Sequence, residues 1–285
     1  MDSNPAKAAE SMKVVLLGTG TPNAEPDRSG PSVAIVKGGK ACLVDFGPGV
    51  VRQASKAFHT GIEELAPKNL RTAFLTHLHS DHAAGYPDLI LTPWVLGRDE
   101  PLEVYGPSGL QSMTEKILAS YSEDIRERTM GLQPSNEEGW KVITHEIDSG
   151  EIFRDGEFVV EACRADHGSL VSFSFKFRTP ERTITISGDT TPSDEIIDFY
   201  RGSDVLVHEV YSSAGFKRYP PEWQRYHSAV HTSSRELAKI ASEAKPGLLV
   251  LYHQLYNGIT DTELMDEIRE RYDGEVLSGK DLDVF

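Results

Sequence analysis

Six consecutive residues, His77-Leu78-His79-Ser80-Asp81-His82, carry four side chains able to ligate a metal. Imidazole and carboxylate donors at this density suit zinc-like divalent cations. Their spacing suits two ions, with His77 and His79 turned toward one and Asp81 and His82 toward the other. The bland alternative is a polar turn that happens to hold three histidines. Other polar residues sit where apolar runs end: Asp166-His167 after 159–164, Gly188-Asp189-Thr190 after 183–186, and Tyr252-His253 after 248–251. A bridging carboxylate and further imidazoles would complete two ligand sets with positions left open for water. Each residue alone could equally be a cap or a satisfied core group; beside the histidine cluster they read as ligands.

Such residues need strands to carry them to one place. Short runs rich in Val, Ile and Leu predict strands at 14–17, 33–36, 42–46, 72–75, 102–105, 158–163, 172–177, 183–186, 205–207 and 248–251. Helical patterns fall at 50–58, 84–94, 108–121, 193–200, 233–244 and 261–272. Mixed strands and helices with hairpin-like neighbours predict an α/β (α+β) protein, sheets covered by helices. A weak internal echo adds to this. In the first half a strand pair ends in LVDFG at Asp45 and the next strand delivers LTHLH at His77; in the second, ITISGD ends at Asp189 and the next strand delivers LVHEV at His208. Each half is expected to build one sheet, and two sheets face to face would bring their strand ends to one shared edge.

Residues 12–285 read as a single folded unit behind an N-terminal arm at 1–11, since no Gly/Ser/Pro-rich linker divides the chain. The formal charge of −15 repels polyanions at long range, so a nucleic-acid role is disfavoured, though not excluded, without a local basic patch. Cys42 and Cys163 each lie in an apolar run, as buried thiols in a reducing compartment would. No stretch approaches the ~18 apolar residues of a membrane span, and no leader pattern opens the chain, so the expectation is a cytoplasmic protein.

The ordered set Asp45, His77-x-His79-x-Asp81-His82, His167, Asp189 in SGDT and His253 resembles the metallo-β-lactamase fold superfamily of metallohydrolases over residues 12–284. The resemblance implies a four-layer αββα sandwich, two mixed sheets flanked by helices, with metals at one edge. It implies one metal on His77, His79 and His167, the other on Asp81, His82 and His253, and Asp189 as the bridge. Asp45 would be an outer carboxylate orienting a ligand histidine, and His208 either another such outer residue or a satisfied core imidazole. Two further segments, LLGTGTPNAEPDRSGPS and the pairing of His208-Glu209 with His231-Thr232-Ser233, resemble the branch holding tRNase Z and arylsulfatase- and phosphodiesterase-like enzymes. That likeness implies that Glu209 orients His231 as general acid. Asp81, Glu209 and His231 are thus the catalytic candidates.

Two zinc ions, with manganese or iron as alternatives, would acidify a bound water to a hydroxide and polarise the substrate. The expected reaction is hydrolysis of small anionic or aryl esters: a phosphodiester, a sulfate ester or a lactone. One alternative is a tRNase Z-type tRNA 3′ endonuclease; another is a di-iron redox or non-catalytic scaffold of the same fold. The small ester is preferred because the chain departs from tRNase Z at Leu251-Tyr252-His253-Gln254-Leu255, lacks a Gly/Lys-rich arm, and carries an acidic excursion at 110–140. The stretch 211–227 supplies candidate substrate contacts. Phe216, Tyr219, Trp223 and Tyr226 could pack on an aromatic leaving group, while Lys217, Arg218 and Arg225 could attract an anion. The same stretch could instead be a Pro-stiffened surface loop or a homodimer contact. Trp94 is a second candidate wall or a core residue.

Overall fold

Alternation along the first strand sets the architecture. In β1 (Lys13–Gly18), Val14 and Leu16 face one way and Val15 and Leu17 the other, and all four are buried, so both faces must be covered. The computed structural model describes residues 11–133 and 135–285; the arm expected at 1–11 lies outside the described residues except for Ser11. β1 opens a six-stranded sheet with β2 (Ser32–Lys37), β3 (Lys40–Val44), β4 (Thr72–Phe74), β5 (Leu102–Gly106) and β6 (Val142–Glu146), in that spatial order. A seven-stranded sheet follows: β7 (Gly150–Arg154), β8 (Val159–His167), β9 (Leu170–Arg178), β10 (Thr183–Ile186), β11 (Val205–Tyr211), β12 (Leu248–Leu255) and β13 (Val276–Ser278), again in sequence order across the sheet.

The helices are α1 (Val50–His59), α2 (Ser80–Ala83), α3 (Tyr86–Val95), α4 (Leu110–Ser120), α5 (Ser122–Met130), α6 (Asp194–Tyr200), α7 (Ser213–Phe216), α8 (Pro221–Val230), α9 (Ser234–Ala244) and α10 (Asp261–Arg269). Three apolar cores result. Val14, Leu16, Val33 and Ile35 meet Phe173, Phe175 and Phe177 between the sheets. Val15, Leu17, Ala34 and Val36 pack with residues of α1, α3 and α4 on one outer face, and Leu206, Leu249 and Leu251 pack with α6, α9 and α10 on the other. This is the four-layer αββα sandwich, two mixed sheets flanked by helices.

The echo between the halves is real in the topology. Each sheet begins with antiparallel pairings and passes to parallel ones, at β3 in the first sheet and at β10 in the second. Asp45 follows β3 and Asp189 follows β10, while His77 follows β4 and His208 lies in β11. Parallel strands must run in one direction, so their C-terminal ends, and the polar residues there, gather along one edge where ligands commonly bind. A glycine-bearing loop closes over that edge. A Cβ on Gly18 would lie 1.9 Å from the Gly30 carbonyl oxygen, and one on Gly30 2.3 Å from Pro48 Cδ, so neither position accepts a side chain. Asp281 pins this loop by accepting from the Thr19 and Ser29 backbone N–H groups and the Gln53 amide.

Several elements were not anticipated from sequence. β6 and β7 have mostly polar or half-exposed residues, and β13 is only three residues long, so none offers an apolar run. The stretch 211–227, for which no helix was expected, contains α7 and most of α8. Two prolines suggested a stiffened coil, but Pro221 occupies a first-turn position where its missing N–H costs nothing, and Glu222 favours the helix dipole. Among the described residues, no helix is long and apolar enough to cross a membrane. Both cysteines are buried free thiols.

Candidate metal centre

Short connections after strands deliver the candidate ligands. His77 and His79 lie in the turn following β4, Asp81 and His82 on the single turn α2, His167 at the end of β8, Asp189 just past β10, and His253 within β12. The structure brings all seven together. One atom each from His77, His79, His167 and Asp189 lie within 4.8 Å of one another, and a second group unites Asp81, His82 and His253. Asp189 also groups with His231 and His253, so its carboxylate stands between the two sets.

The spacings resemble those around cations. Donors about 2.0–2.1 Å from one zinc-like ion at tetrahedral angles stand about 3.3 Å apart. Here His79 Nδ1 is 3.0 Å from both His77 Nε2 and His167 Nε2. In the second group, His253 Nε2 is 3.2 Å from Asp81 Oδ2, and His82 Nε2 is 3.5 Å from Asp81 Oδ2 and 3.4 Å from Asp189 Oδ1. His82 Nε2 and Asp189 Oδ1 are buried without a hydrogen-bond partner among the described residues, a costly state unless a cation completes it.

Outer hydrogen bonds fix which nitrogen carries the lone pair. Asp45 Oδ2 accepts from His82 Nδ1 at 2.8 Å, and Asp45 Oδ1 accepts from the Thr76 N–H and hydroxyl. With its proton committed to Asp45, Thr76 Oγ1 is left to accept from His77 Nδ1 at 2.9 Å. His167 Nδ1 donates to the Val230 carbonyl at 2.6 Å. In the neutral forms of His77, His82 and His167, Nε2 is thereby the acceptor that faces the cluster.

Two of these positions carry backbone strain. Asp45 has φ +59° and His253 φ +45°, conformations that non-glycine residues rarely adopt. For His253 the cause is a β-bulge: register jumps between His208–Leu251 and Val210–Gln254, so Tyr252 and His253 together oppose the single Glu209. The extra residue re-aims the imidazole toward the edge.

Burial disfavours the charged forms of His77, His79 and His167, and neighbouring imidazoles add to this, so all three are held below the ordinary histidine pKa as neutral ligands. Burial opposes charge on His82 also, but Asp189, Asp45 and Asp81 outweigh it and hold its pKa well above the ordinary value. Burial likewise opposes ionisation of Asp189, yet His253 and His82 keep its pKa well below the carboxylate norm. A cation entering this cluster therefore displaces a proton from His82, which makes binding pH-dependent.

Beside the ligands stands the Glu209–His231 pair. His231 Nδ1 lies 3.3 Å from Glu209 Oε1 and 3.7 Å from Asp189 Oδ2. Glu209 is fully buried on β11, and its Oε1 also accepts from the Thr232 N–H at 2.9 Å. Burial lowers the His231 pKa, but Glu209 and then Asp189 raise it further, to about 9. His208 does not join them. Alternation along β11 sends it to the opposite face, where its ring meets Tyr200 edge-on at 5.4 Å and its Nδ1 bonds the Glu209 carbonyl oxygen. It makes no hydrogen bond or ion pair with a clustered ligand, so the outer role considered for it fails.

A cavity of ≈ 390 Å³ opens above the cluster, lined by His79, Ser80, Asp81, Asp189 and His231 on one side and Pro22, Asn23, Tyr219, Trp223, Tyr226, His227 and Leu255 around the rest. Of the contacts expected from 211–227, Tyr219, Trp223 and Tyr226 reach it. Phe216 instead packs on Tyr211 at 5.0 Å, Arg218 donates to the Gly258 carbonyl, and Lys217 and Arg225 are exposed away from the lining. Helical periodicity is the reason: Trp223, Tyr226 and His227 share one face of α8, and Arg225 lies on another. His227, missed from sequence, shows the same i, i+4 relation to Trp223. Trp94 is a core residue whose indole N–H donates to the Asn136 carbonyl at 2.9 Å.

This fold, with its cluster at the shared sheet edge, defines a class. Residues 41–254 match the family model described as Beta-lactamase superfamily domain, and the chain belongs to that superfamily of metal-dependent hydrolases. A ribonuclease Z of Mycobacterium bovis is 31% identical over 252 residues, covering 85% of this chain and 85% of that protein. The crystal structure of human tRNase Z, short form, is 25% identical with a TM-score of 0.72, covering 96% of this chain and 98% of that one. The metallo-beta-lactamase fold protein YhfI from Bacillus subtilis shares the fold, with a TM-score of 0.76 at 20% identity over 97% of this chain and 100% of that one.

Proposed function

We propose that this hydrolase is a phosphodiesterase of the ribonuclease Z kind, cleaving an RNA phosphodiester such as that at the 3′ side of a tRNA. The observation that carries the reading is the buried Glu209–His231 pair, 3.7 Å from the shared carboxylate Asp189, in a chain whose similar curated relatives are named ribonuclease Z. His77, His79, His167 and Asp189 would hold one divalent metal, and Asp81, His82, His253 and Asp189 the other. When bound, such ions polarise a phosphoryl oxygen and acidify water. The chain's own groups do the rest. Glu209 holds His231 protonated at the cavity floor, where it can give its proton to the departing oxygen. Asp45, through His82 and Thr76, keeps the ligands preorganised. The order of preference drawn from sequence is thus reversed in favour of RNA.

Hydrolysis of a small phosphodiester, sulfate ester or lactone is the second reading, favoured by the confined aromatic-walled cavity and the net charge of −15. Metal-loaded protein assayed on precursor tRNA, bis-p-nitrophenyl phosphate, p-nitrophenyl sulfate and a lactone separates them. Endonucleolytic tRNA cleavage at low enzyme concentration is expected. Efficient turnover of a small ester with tRNA left intact would overturn the RNA reading.

A further inference from the structure

Helix α8 presents two half-exposed aromatic rings at the rim of the cavity. Trp223 is 51% exposed and Tyr226 41%, yet both rings border the cavity over the candidate metal ligands. Their neighbours are ordered as a wall. Tyr219 and His227 lie with ring centroids 5.2 Å apart at 28°, Trp223 and His227 5.9 Å apart at 31°, and His227 and His231 5.6 Å apart at 32°. Tyr226 stands edge-on to Trp223 at 5.8 Å. The wall thus runs from solvent down to the residue beside Asp189. His227 is only 7% exposed, and its Nδ1 has no hydrogen-bond partner among the described residues.

We propose that Trp223, Tyr226 and His227 form a stacking platform for the nucleobase next to the scissile phosphodiester. This rests on the phosphodiesterase reading and names the part of the substrate that α8 recognises. Three features select a base over other ligands. The Trp223 and His227 rings, inclined by 31°, match a flat heterocycle with Tyr226 edge-on beside them, and stacking tolerates any base because each has a π-face. The platform residues bear no formal charge with histidine neutral, so they suit the uncharged part of a nucleotide while the phosphate goes to the cation-binding floor. Asn23, which also lines the cavity, offers a polar side chain for a base edge.

The test compares two esters with the same leaving group: the p-nitrophenyl ester of thymidine 5′-monophosphate, and methyl p-nitrophenyl phosphate, which has no base. Trp223→Ala should lower kcat/KM on the nucleoside ester by roughly 5- to 150-fold, mainly through KM, the range that losing one base–aromatic stack produces. The methyl ester, which offers only the p-nitrophenyl ring common to both substrates, should lose several-fold less than the nucleoside ester, and Trp223→Phe, which keeps a ring, should recover most of the difference. Equal losses on both esters, or none on either, overturn the platform. A second readout needs no turnover. Adenosine 5′-monophosphate should quench tryptophan fluorescence in the wild type but not in Trp223→Phe, ribose 5-phosphate should quench neither, and Tyr226→Ala should bind the nucleotide more weakly. Quenching with neither ester hydrolysed leaves the platform standing and removes the phosphodiesterase reading. Turnover of both esters that ignores Trp223 does the reverse.

Discussion

Replacing Asp45 by Asn changes one atom yet should split the affinities of the two metal positions. The carboxylate accepts from three donors: the Thr76 N–H at 2.8 Å, the Thr76 hydroxyl at 2.9 Å and His82 Nδ1 at 2.8 Å. In Asp45→Asn the amide oxygen must stay on the Thr76 side, because turning the NH2 there would set two donors against each other. The NH2 then faces His82 Nδ1. Either two buried donors confront one another, or His82 shifts its proton to Nε2, the atom that faces Asp81 and Asp189. Both outcomes weaken the Asp81/His82/His253 position, and loss of such an outer partner typically lowers metal affinity about 10- to 100-fold. The His77/His79/His167 position depends on Asp45 only through Thr76 and should change by less than about threefold. Competition titration against a chromophoric chelator, with metals counted per chain, resolves the two constants; activity should return at raised metal concentration. Equal weakening of both positions, or of neither, would refute the hydrogen-bond reasoning.

Asp189→Ala should lose metal and activity together, and a variant that still holds two metals per chain would rule out a shared carboxylate. His231→Ala should reduce rates on substrates with poor leaving groups by about 10²- to 10⁴-fold while sparing p-nitrophenyl esters, which need little proton assistance; uniform losses would remove it as the acid. His208 gives a pH test away from the ligands. Burial, only partly offset by Glu209, lowers its pKa below the ordinary 6.5. The unfolded chain therefore binds a proton that the native protein does not, and stability falls as pH drops below 6.5 toward the native value, by up to about 1.4 kcal/mol per pH unit. His208→Gln should flatten this slope in urea denaturation between pH 7 and 5.5; an unchanged slope would assign the acid sensitivity elsewhere.

What sequence revealed and what it hid divide along physical lines. The histidine cluster stood out because four donors share one short stretch, and Asp189 and His253 because each is a polar residue that closely follows an apolar run in sequence. The two-sheet plan followed from the repeat of Asp45 then His77, and Asp189 then His208. That repeat also misled, for His208 occupies the place of His77 in topology but faces a helix layer rather than the edge. The positive φ of Asp45 and the bulge at His253 are tertiary outcomes with no sequence mark. Helix α8 did leave a mark, proline in the first turn with an acid beside it, overridden by the turn-forming reputation of paired prolines. Arg98 left none. It is fully buried and spends its guanidinium on the carbonyls of Leu70, Leu89, Ile90 and Gly139, tying α3 to the segment before β6.

A chain of net charge −15 that handles a polyanion needs its attraction to be local. Among the described residues, the cavity lining has no cationic side chain apart from histidine: Lys217, Arg218 and Arg225 lie outside it, and Asp81 and Asp189 border it. Without cations that floor repels phosphate. Two divalent ions would reverse its sign, so phosphate recognition and chemistry share one requirement, and the remaining affinity must come from uncharged contacts such as the α8 rings. On the proposed phosphodiesterase reading, such a design would confine recognition to the few nucleotides nearest the scissile bond. Few phosphates would be neutralised by side chains, so the salt dependence of binding should be shallow, where a basic groove tracking many phosphates would give a steep one.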